Sequence, residues 1–312
     1  MRKPILVTDG FEKLQEIEIP DTGVKMLGLE VAHPQAPKAR PYRFPKAETV
    51  DVAAGVKLGL NIMLTGPTGC GKTSLPTAIA AKLGRPLVRF NMNGETRVAH
   101  ILGQQRPVAQ EGVLTLVFSL GVFAQAMRDG YWVILDEIEA ALPSVLFVLQ
   151  PVLEEGNRSI QIPDTGEVIH AHPEFAIFAT GNTLGYRAAA RAKYAGTNVL
   201  NSAFVDRFGM VIDCAYPSRQ EEVERVRVHV PDCDSDYIDG ICRTAEELRR
   251  DSGFRADFST RRCIQWARLL APYANDVLQT AELAFVRKLE SPTDAKVARE
   301  VIRRIFGYSQ GV

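Results

Sequence analysis

Gly66-Pro67-Thr68-Gly69-Cys70-Gly71-Lys72-Thr73 fits the spacing G-x-x-x-x-G-K-[ST] at every position. That spacing is chemistry for holding phosphate. Glycines let backbone N–H groups close around phosphate oxygens, and the start of a following helix adds the positive end of its dipole. Lys72 is placed to neutralise β- and γ-phosphate charge, Thr73 to offer its hydroxyl to Mg²⁺, and Ser74 to complete the loop at the helix start. The expected ligands are therefore ATP and Mg²⁺. A glycine-rich turn alone does not account for both the full pattern and its setting between an apolar strand and a helix.

Asp136 and Glu137 end the apolar run Trp132-Val133-Ile134-Leu135. On a buried parallel strand, charge is tolerated only where the strand leaves the sheet, at its carboxyl end, which is also where a phosphate loop sits. Asp136 is expected in the Mg²⁺ coordination sphere and Glu137 beside an attacking water. Two carboxylates in that position make hydrolysis, rather than binding alone, the default. Phe175 to Ala179 is a further apolar run, and Asn182 just beyond it is an amide able to position the water from another side, although an Asn in a loop is unremarkable by itself.

These residues need a scaffold, and the patterning supplies one. Leu60–Leu64, Leu87–Phe90, Trp132–Leu135 and Phe175–Ala179 read as strands, while 74–83, 120–128 and 141–153 read as helices. Strands alternating with helices imply a parallel sheet covered on both faces. Alternating apolar residues around Pro163-Asp164-Thr165-Gly166 place a hairpin over 158–169, ahead of the Phe175 strand. Short strands at 17–19 and 24–31 flank a Pro-Asp-Thr-Gly turn, and prolines 34, 37, 41 and 45 mark an extended connector. After Pro217 the strand signal ends, and helical stretches follow at 218–228, 245–250, 259–270, 274–289 and 294–306, the first opened by a capping box of Ser218 and Glu221. The organisation expected is 1–46 strands and connector, 47–217 an α/β nucleotide core, and 218–312 an all-α lid.

The chain has 312 residues with 37 Lys+Arg against 37 Asp+Glu, which argues against a polybasic or an acidic disordered protein. The 5 cysteines contain no C-x-x-C pair, giving no zinc framework and suiting a reducing, cytoplasmic setting. Asp9 and Gly10 end the first apolar run too early for a signal peptide, and the greasiest stretch, 113–127, is too short to span a bilayer. No membrane role is expected.

The order of phosphate loop, Asp-Glu strand, Asn-tipped strand, Asp206-Arg207-Phe208 and a helical lid carrying Arg261-Arg262 resembles an AAA+ ATPase. The hairpin ahead of the Asn strand resembles the MoxR and chelatase branch. Val145 to Gln150, Phe178 to Gly185 and Tyr194 to Thr197 are similar to the small ATPase subunits of aerobic cobaltochelatases. Gly66 to Thr73, Thr165 to Val168 and Ala171 to Pro173 also resemble ATPases that activate Rubisco or nitric oxide reductase. The resemblance implies a P-loop AAA+ core with a pre-sensor hairpin, followed by an all-α lid. It implies Asn182 as sensor 1, Arg207 as an arginine finger reaching a neighbouring subunit, and Arg261 as the lid's sensor 2, with Arg262 the alternative register. It further implies a ring, usually a hexamer, a partner with a von Willebrand factor A domain, and work on a protein or on metal insertion into a cofactor. A second reading is a nucleic-acid-associated motor or loader, without an aromatic-interleaved basic groove to support it. Arg187, Arg191 and Lys193 could line a ring pore or touch nucleic acid, but a solvated basic helix is the expected account. His170 and His172 share a strand face without a third ligand nearby, so they are expected to decorate the hairpin. Cys70 is expected to be a small residue within the loop.

Overall fold

The computed structural model describes residues 13–110, 113–156, 158–182 and 200–307. It divides into two compact units, the first comprising residues 1–40, 44–66 and 71–214, the second 41–43, 67–70 and 215–312.

The first unit opens with the antiparallel pair β1 (Leu14–Ile19) and β2 (Val24–Leu29), turned at Asp21 to Gly23. Residues 30–45 carry neither helix nor strand, and α1 (Lys46–Lys57) follows. Next come β3 (Ile62–Thr65), α2 (Ser74–Leu83), β4 (Leu87–Asn91) and α3 (Val98–Leu102). β5 (Gly103–Gln110) pairs antiparallel with β6 (Val113–Leu120), and α4 (Val122–Arg128) leads into β7 (Trp132–Asp136). After α5 (Pro143–Leu153), β8 (Ser159–Gln161) and β9 (Val168–His170) form the small hairpin expected ahead of β10 (Ala176–Gly181). α6 (Ser202–Val205) and β11 (Met210–Asp213) complete the unit.

Five strands form one sheet in the order β11-β3-β10-β7-β4, each neighbour parallel. β3, β7 and β10 are buried at every residue, which is why they read as unbroken apolar runs. The edge strands β4 and β11 are partly exposed and carry Arg89 and Asp213. Because all five strands run the same way, their carboxyl ends share one rim. Phe123, Val133, Leu149, Ile177 and Phe204 belong to the core packed around this sheet.

The second unit contains α7 (Arg219–His229), α8 (Ser235–Arg250), α9 (Thr260–Leu270), α10 (Val277–Ala284) and α11 (Pro292–Phe306). Trp266, Phe258 and Phe285 sit at its centre, with Phe258 and Phe285 in an edge contact at 4.7 Å and the Trp266 indole N–H donating to Thr280 Oγ1 at 3.1 Å. A buried ion pair crosses this core. Glu222 is fully buried and takes Arg249 in two bonds, at 2.8 and 2.7 Å, while Thr260 Oγ1 donates to it at 2.6 Å. Burial alone would lower the Arg249 pKa, but the hydrogen bonds and charge of Glu222 hold it raised.

The structure departs from the expected elements in several places, and α1, α3 and β5 were not among those expected. The greasy stretch from Val113 is a strand of the β5–β6 hairpin before it is a helix. β11 was not expected at all. α8 begins at Ser235, ten residues ahead of the stretch from Ala245, because Asp234 caps it and accepts from the Asp236 N–H at 2.8 Å. Gly240 weakens the helical signal there, yet a Cβ at that position would stand 2.5 Å from the Phe306 ring. The last difference is at 274–289, where left-handed Ala274 and Asn275 precede a helix confined to Val277–Ala284. Among the described residues, no helix is long and apolar enough to cross a membrane.

Candidate functional site

The phosphate loop joins the buried end of β3 to α2. Gly69 and Gly71 take φ of 74° and 119°, which a side chain would resist, and the Leu75 N–H bonds to Gly71 O at 3.0 Å to start the helix. Lys72 is buried, and its ammonium donates to Gly66 O at 2.7 Å and to Asn182 Oδ1 at 2.9 Å. The cation expected on the phosphates and the amide expected beside the water thus face the same space.

Asp136 ends β7 beside this loop. Its Oδ1 accepts from Thr73 Oγ1 at 2.8 Å and from the Thr180 hydroxyl, while its Oδ2 accepts from Arg89 Nε at 2.8 Å and from Arg89 Nη2. A hydroxyl and a carboxylate in contact are hard oxygen donors of the kind Mg²⁺ takes, so Thr73 and Asp136 fit the metal expected of them.

Glu137 follows in the left-handed region, at φ 56° and ψ 45°, a conformation costing about 1–3 kcal/mol for a residue with a side chain. Its N–H donates to Thr180 Oγ1 at 3.1 Å, so Thr180 ties both acidic residues to β10, and the Glu137 side chain turns outward to an exposed position. Asn182, at the end of β10, has its N–H held by Glu139 Oε2 at 3.1 Å.

Gly66, Lys72, Thr73, Asp136, Glu137 and Asn182 are thereby gathered on the rim formed by the carboxyl ends of β3, β7 and β10. Arg207 is not among them. Its carbonyl accepts from Asn61 Nδ2 at 2.9 Å, and Asn61 immediately precedes β3. Arg207 therefore lies at the amino-terminal end of the strands, roughly 13 Å of strand away from the loop at about 3.3 Å per residue. Its Nη1 donates to Ala203 O at 2.5 Å, Nη2 lies 3.9 Å from Glu154 Oε1, and Nε is buried with no hydrogen-bond partner among the described residues.

In the second unit, Arg261 is exposed at the first turn of α9. Arg262 is half-buried, with Nη1 unpartnered among the described residues, and burial lowers its pKa against the opposing pull of Asp257 and Tyr216. In the same unit Tyr216 donates its hydroxyl to Thr68 O at 2.8 Å and lies under the Arg249 guanidinium at 4.1 Å.

Three residues here escaped the sequence reading. Arg89 is a charge in mid-strand, Glu139 a carboxylate only 1% exposed, and Thr180 a hydroxyl in an apolar run. A polar residue inside an otherwise apolar strand or turn was the available signal in each case. His172 Nδ1 accepts from the Glu174 N–H at 3.1 Å in a turn, and His170 is exposed at the end of β9. Thr183 to Gly185, the basic residues Arg187, Arg191 and Lys193, and Tyr194 to Thr197 lie outside the described residues.

A phosphate loop at the carboxyl rim of a five-stranded parallel sheet, facing an Asp-Glu strand, defines the phosphate-loop class of nucleotide-binding folds. Comparison with known proteins narrows the class. The family described as "AAA domain (dynein-related subfamily)" matches residues 61–208. Protein NorQ of Paracoccus denitrificans is 30% identical over 271 residues, spanning 86% of this chain and 94% of NorQ. Aerobic cobaltochelatase subunit CobS of Sinorhizobium sp is 29% identical over 296 residues, spanning 92% of this chain and 88% of CobS. Among solved structures, a mutant of Thermotoga maritima RuvB superposes with a TM-score of 0.51 at 17% identity, covering 85% of this chain and 78% of that one, a likeness of fold. The chain belongs to the AAA+ ATPases, in the MoxR-like branch that holds NorQ and CobS.

Proposed function

We propose that this protein hydrolyses ATP in an oligomeric ring, most simply a cytoplasmic hexamer, and couples the hydrolysis to remodelling a partner protein or to metal insertion into a cofactor. The observation that carries this reading is the convergence of Lys72, Thr73, Asp136 and Asn182 on one strand-end rim. Lys72 neutralises the β- and γ-phosphates, Glu137 accepts a proton from the attacking water, and Asn182 orients that water. Mg²⁺, held by Thr73 and Asp136, neutralises phosphate charge when bound. The likeness to a cobaltochelatase subunit supports a partner complex rather than a free small molecule as the recipient of the work, and a protein with a von Willebrand factor A domain is the partner we propose.

The test of this reading is Lys72→Ala. It removes a buried ammonium, and a charge-assisted hydrogen bond is worth about 1.5–3 kcal/mol, so ATP binding should weaken by roughly 10- to 150-fold in calorimetry. Wild-type affinity in this variant would remove the phosphate loop from the function.

The lid arginines allow a ranking. We propose Arg261 as sensor 2 because its side chain is exposed and open to a ligand, whereas that of Arg262 is half-buried. Arg261→Ala is expected to slow steady-state phosphate release more than Arg262→Ala. The opposite ranking would move the role one residue along.

A further inference from the structure

Donors of this chain alone fill the acceptor sites of Asp136. A carboxylate offers about four acceptor sites, and here Thr73, Thr180 and two nitrogens of Arg89 use them. The two halves of the Arg89–Asp136 pair differ sharply in setting: the Asp136 side chain is 6% exposed and that of Arg89 is 56% exposed. Register explains how they meet. β4 lies beside β7 with Arg89 opposite Ile134 and Asn91 opposite Asp136, so the guanidinium reaches two residues along the neighbouring strand to find Oδ2.

We propose that Arg89 is a resident counter-ion for the metal-binding carboxylate, one that must leave Oδ2 before Asp136 can serve a divalent cation, and that it thereby sets the metal requirement of nucleotide binding. This rests on the ATPase reading above. Two facts drive it. A buried carboxylate left without a cation is strongly unfavourable, so some positive group must hold it whenever a divalent cation does not. A guanidinium and a divalent cation on the same oxygen repel each other, so the two occupancies exclude one another. The exposed member is the one able to move, because Arg89 regains water when it lets go, whereas Asp136 is fixed by two hydroxyls. Arg89 is thus a positioning residue, acting on the metal site through Asp136.

The test is calorimetric titration of the full chain with ADP over a Mg²⁺ series, and with ADP in excess chelator. Arg89→Ala should lower the Mg²⁺ concentration that gives half of the full Mg²⁺-dependent gain in ADP affinity, by about fivefold for a pair with one largely exposed member. Metal-free ADP should bind no more tightly than to wild type, which assigns the gain to the metal. Arg89→Lys keeps a point charge without the fork and should fall between the two. Arg89→Gln, matched to wild type by thermal melting, repeats the measurement if the alanine variant is unstable. An unchanged or raised Mg²⁺ midpoint in a folded variant would overturn the counter-ion role, because a residue that merely orients Asp136 for the metal predicts a raised one. ADP binding in wild type with an unmoved midpoint in the variants would sink this inference alone. Wild-type protein that binds no ADP with or without Mg²⁺ would sink the ATPase reading, and this one with it.

Discussion

Glu137→Gln should cut ATP turnover by about 10²–10⁴-fold, the range for losing a positioned general base, while leaving ATP binding near wild type. The local structure separates the two effects. The Glu137 backbone is held in its left-handed conformation by β7 behind it and by its own N–H on Thr180 Oγ1, and neither depends on the side-chain carboxylate. Glutamine has the same length and shape, so the rim keeps its form and Lys72, Thr73 and Asp136 keep their contacts. What is lost is the carboxylate oxygen that would accept the water's proton. Steady-state phosphate release and calorimetry on the same preparation give the comparison. Turnover within a few-fold of wild type would place the base elsewhere, and Glu139 would be the first residue to try. That carboxylate is buried and already accepts the Asn182 N–H, so it is built to position the amide rather than to meet water. A variant that traps ATP without hydrolysing it would also serve as bait for a partner of the proposed ring.

The parts of this site that were legible in sequence are those whose spacing is dictated by bonded geometry. A loop that wraps phosphate has to be a run of set length with glycines at set places, and Gly66 to Thr73 shows it without help from the rest of the chain. β3, β7 and β10 were legible because both faces of each are buried, so their residues are uniformly apolar until the strand leaves the sheet. The same uniformity hid the β5–β6 hairpin. Val113 to Leu120 is apolar at nearly every position, which removes the period-2 signature, even though Leu114 and Leu116 are 77% and 66% exposed. β11 was missed because, unlike β3, it is partly exposed along its length, and it ends on Asp213. Arg89 was invisible for a different reason. Its partner is set by which strand lies beside β4, and lateral strand order is a long-range outcome that no local pattern encodes. Arg207 was legible as part of a motif, but its distance from the loop follows only from β11 being parallel to β3, which puts its start and the loop at opposite ends.

That separation frames the other large effect. Arg207→Ala is expected to lower turnover by about 10³–10⁵-fold, the range for an arginine that stabilises charge spreading over a transferring phosphoryl group. Within its own chain Arg207 sits beside Asn61, at the wrong end of the strands to meet phosphate held at Lys72. If it acts on phosphate at all, it acts on a neighbour's. Hydrolysis then needs two chains, one giving Lys72, Asp136 and Glu137 and the other giving Arg207. Arg207→Ala and Lys72→Ala should each be inactive alone, yet a mixture should regain part of the wild-type rate, because some interfaces pair an intact loop with an intact arginine. Specific activity should also fall on dilution as the assembly dissociates. Arg207→Lys keeps the charge but not the planar fork, so it should remain well below wild type and be rescued by mixing in the same way. The competing account is local. Nη1 on Ala203 O and Nη2 near Glu154 could make Arg207 a strut for α6, in which case its loss lowers thermal stability and mixing restores nothing. The buried Nε, without a partner among the described residues, weighs against that account, since a residue selected only as a strut has no reason to leave a desolvated donor idle. Absence of rescue on mixing, with activity independent of concentration in a chain that stays monomeric with ATP bound, would end the two-chain site.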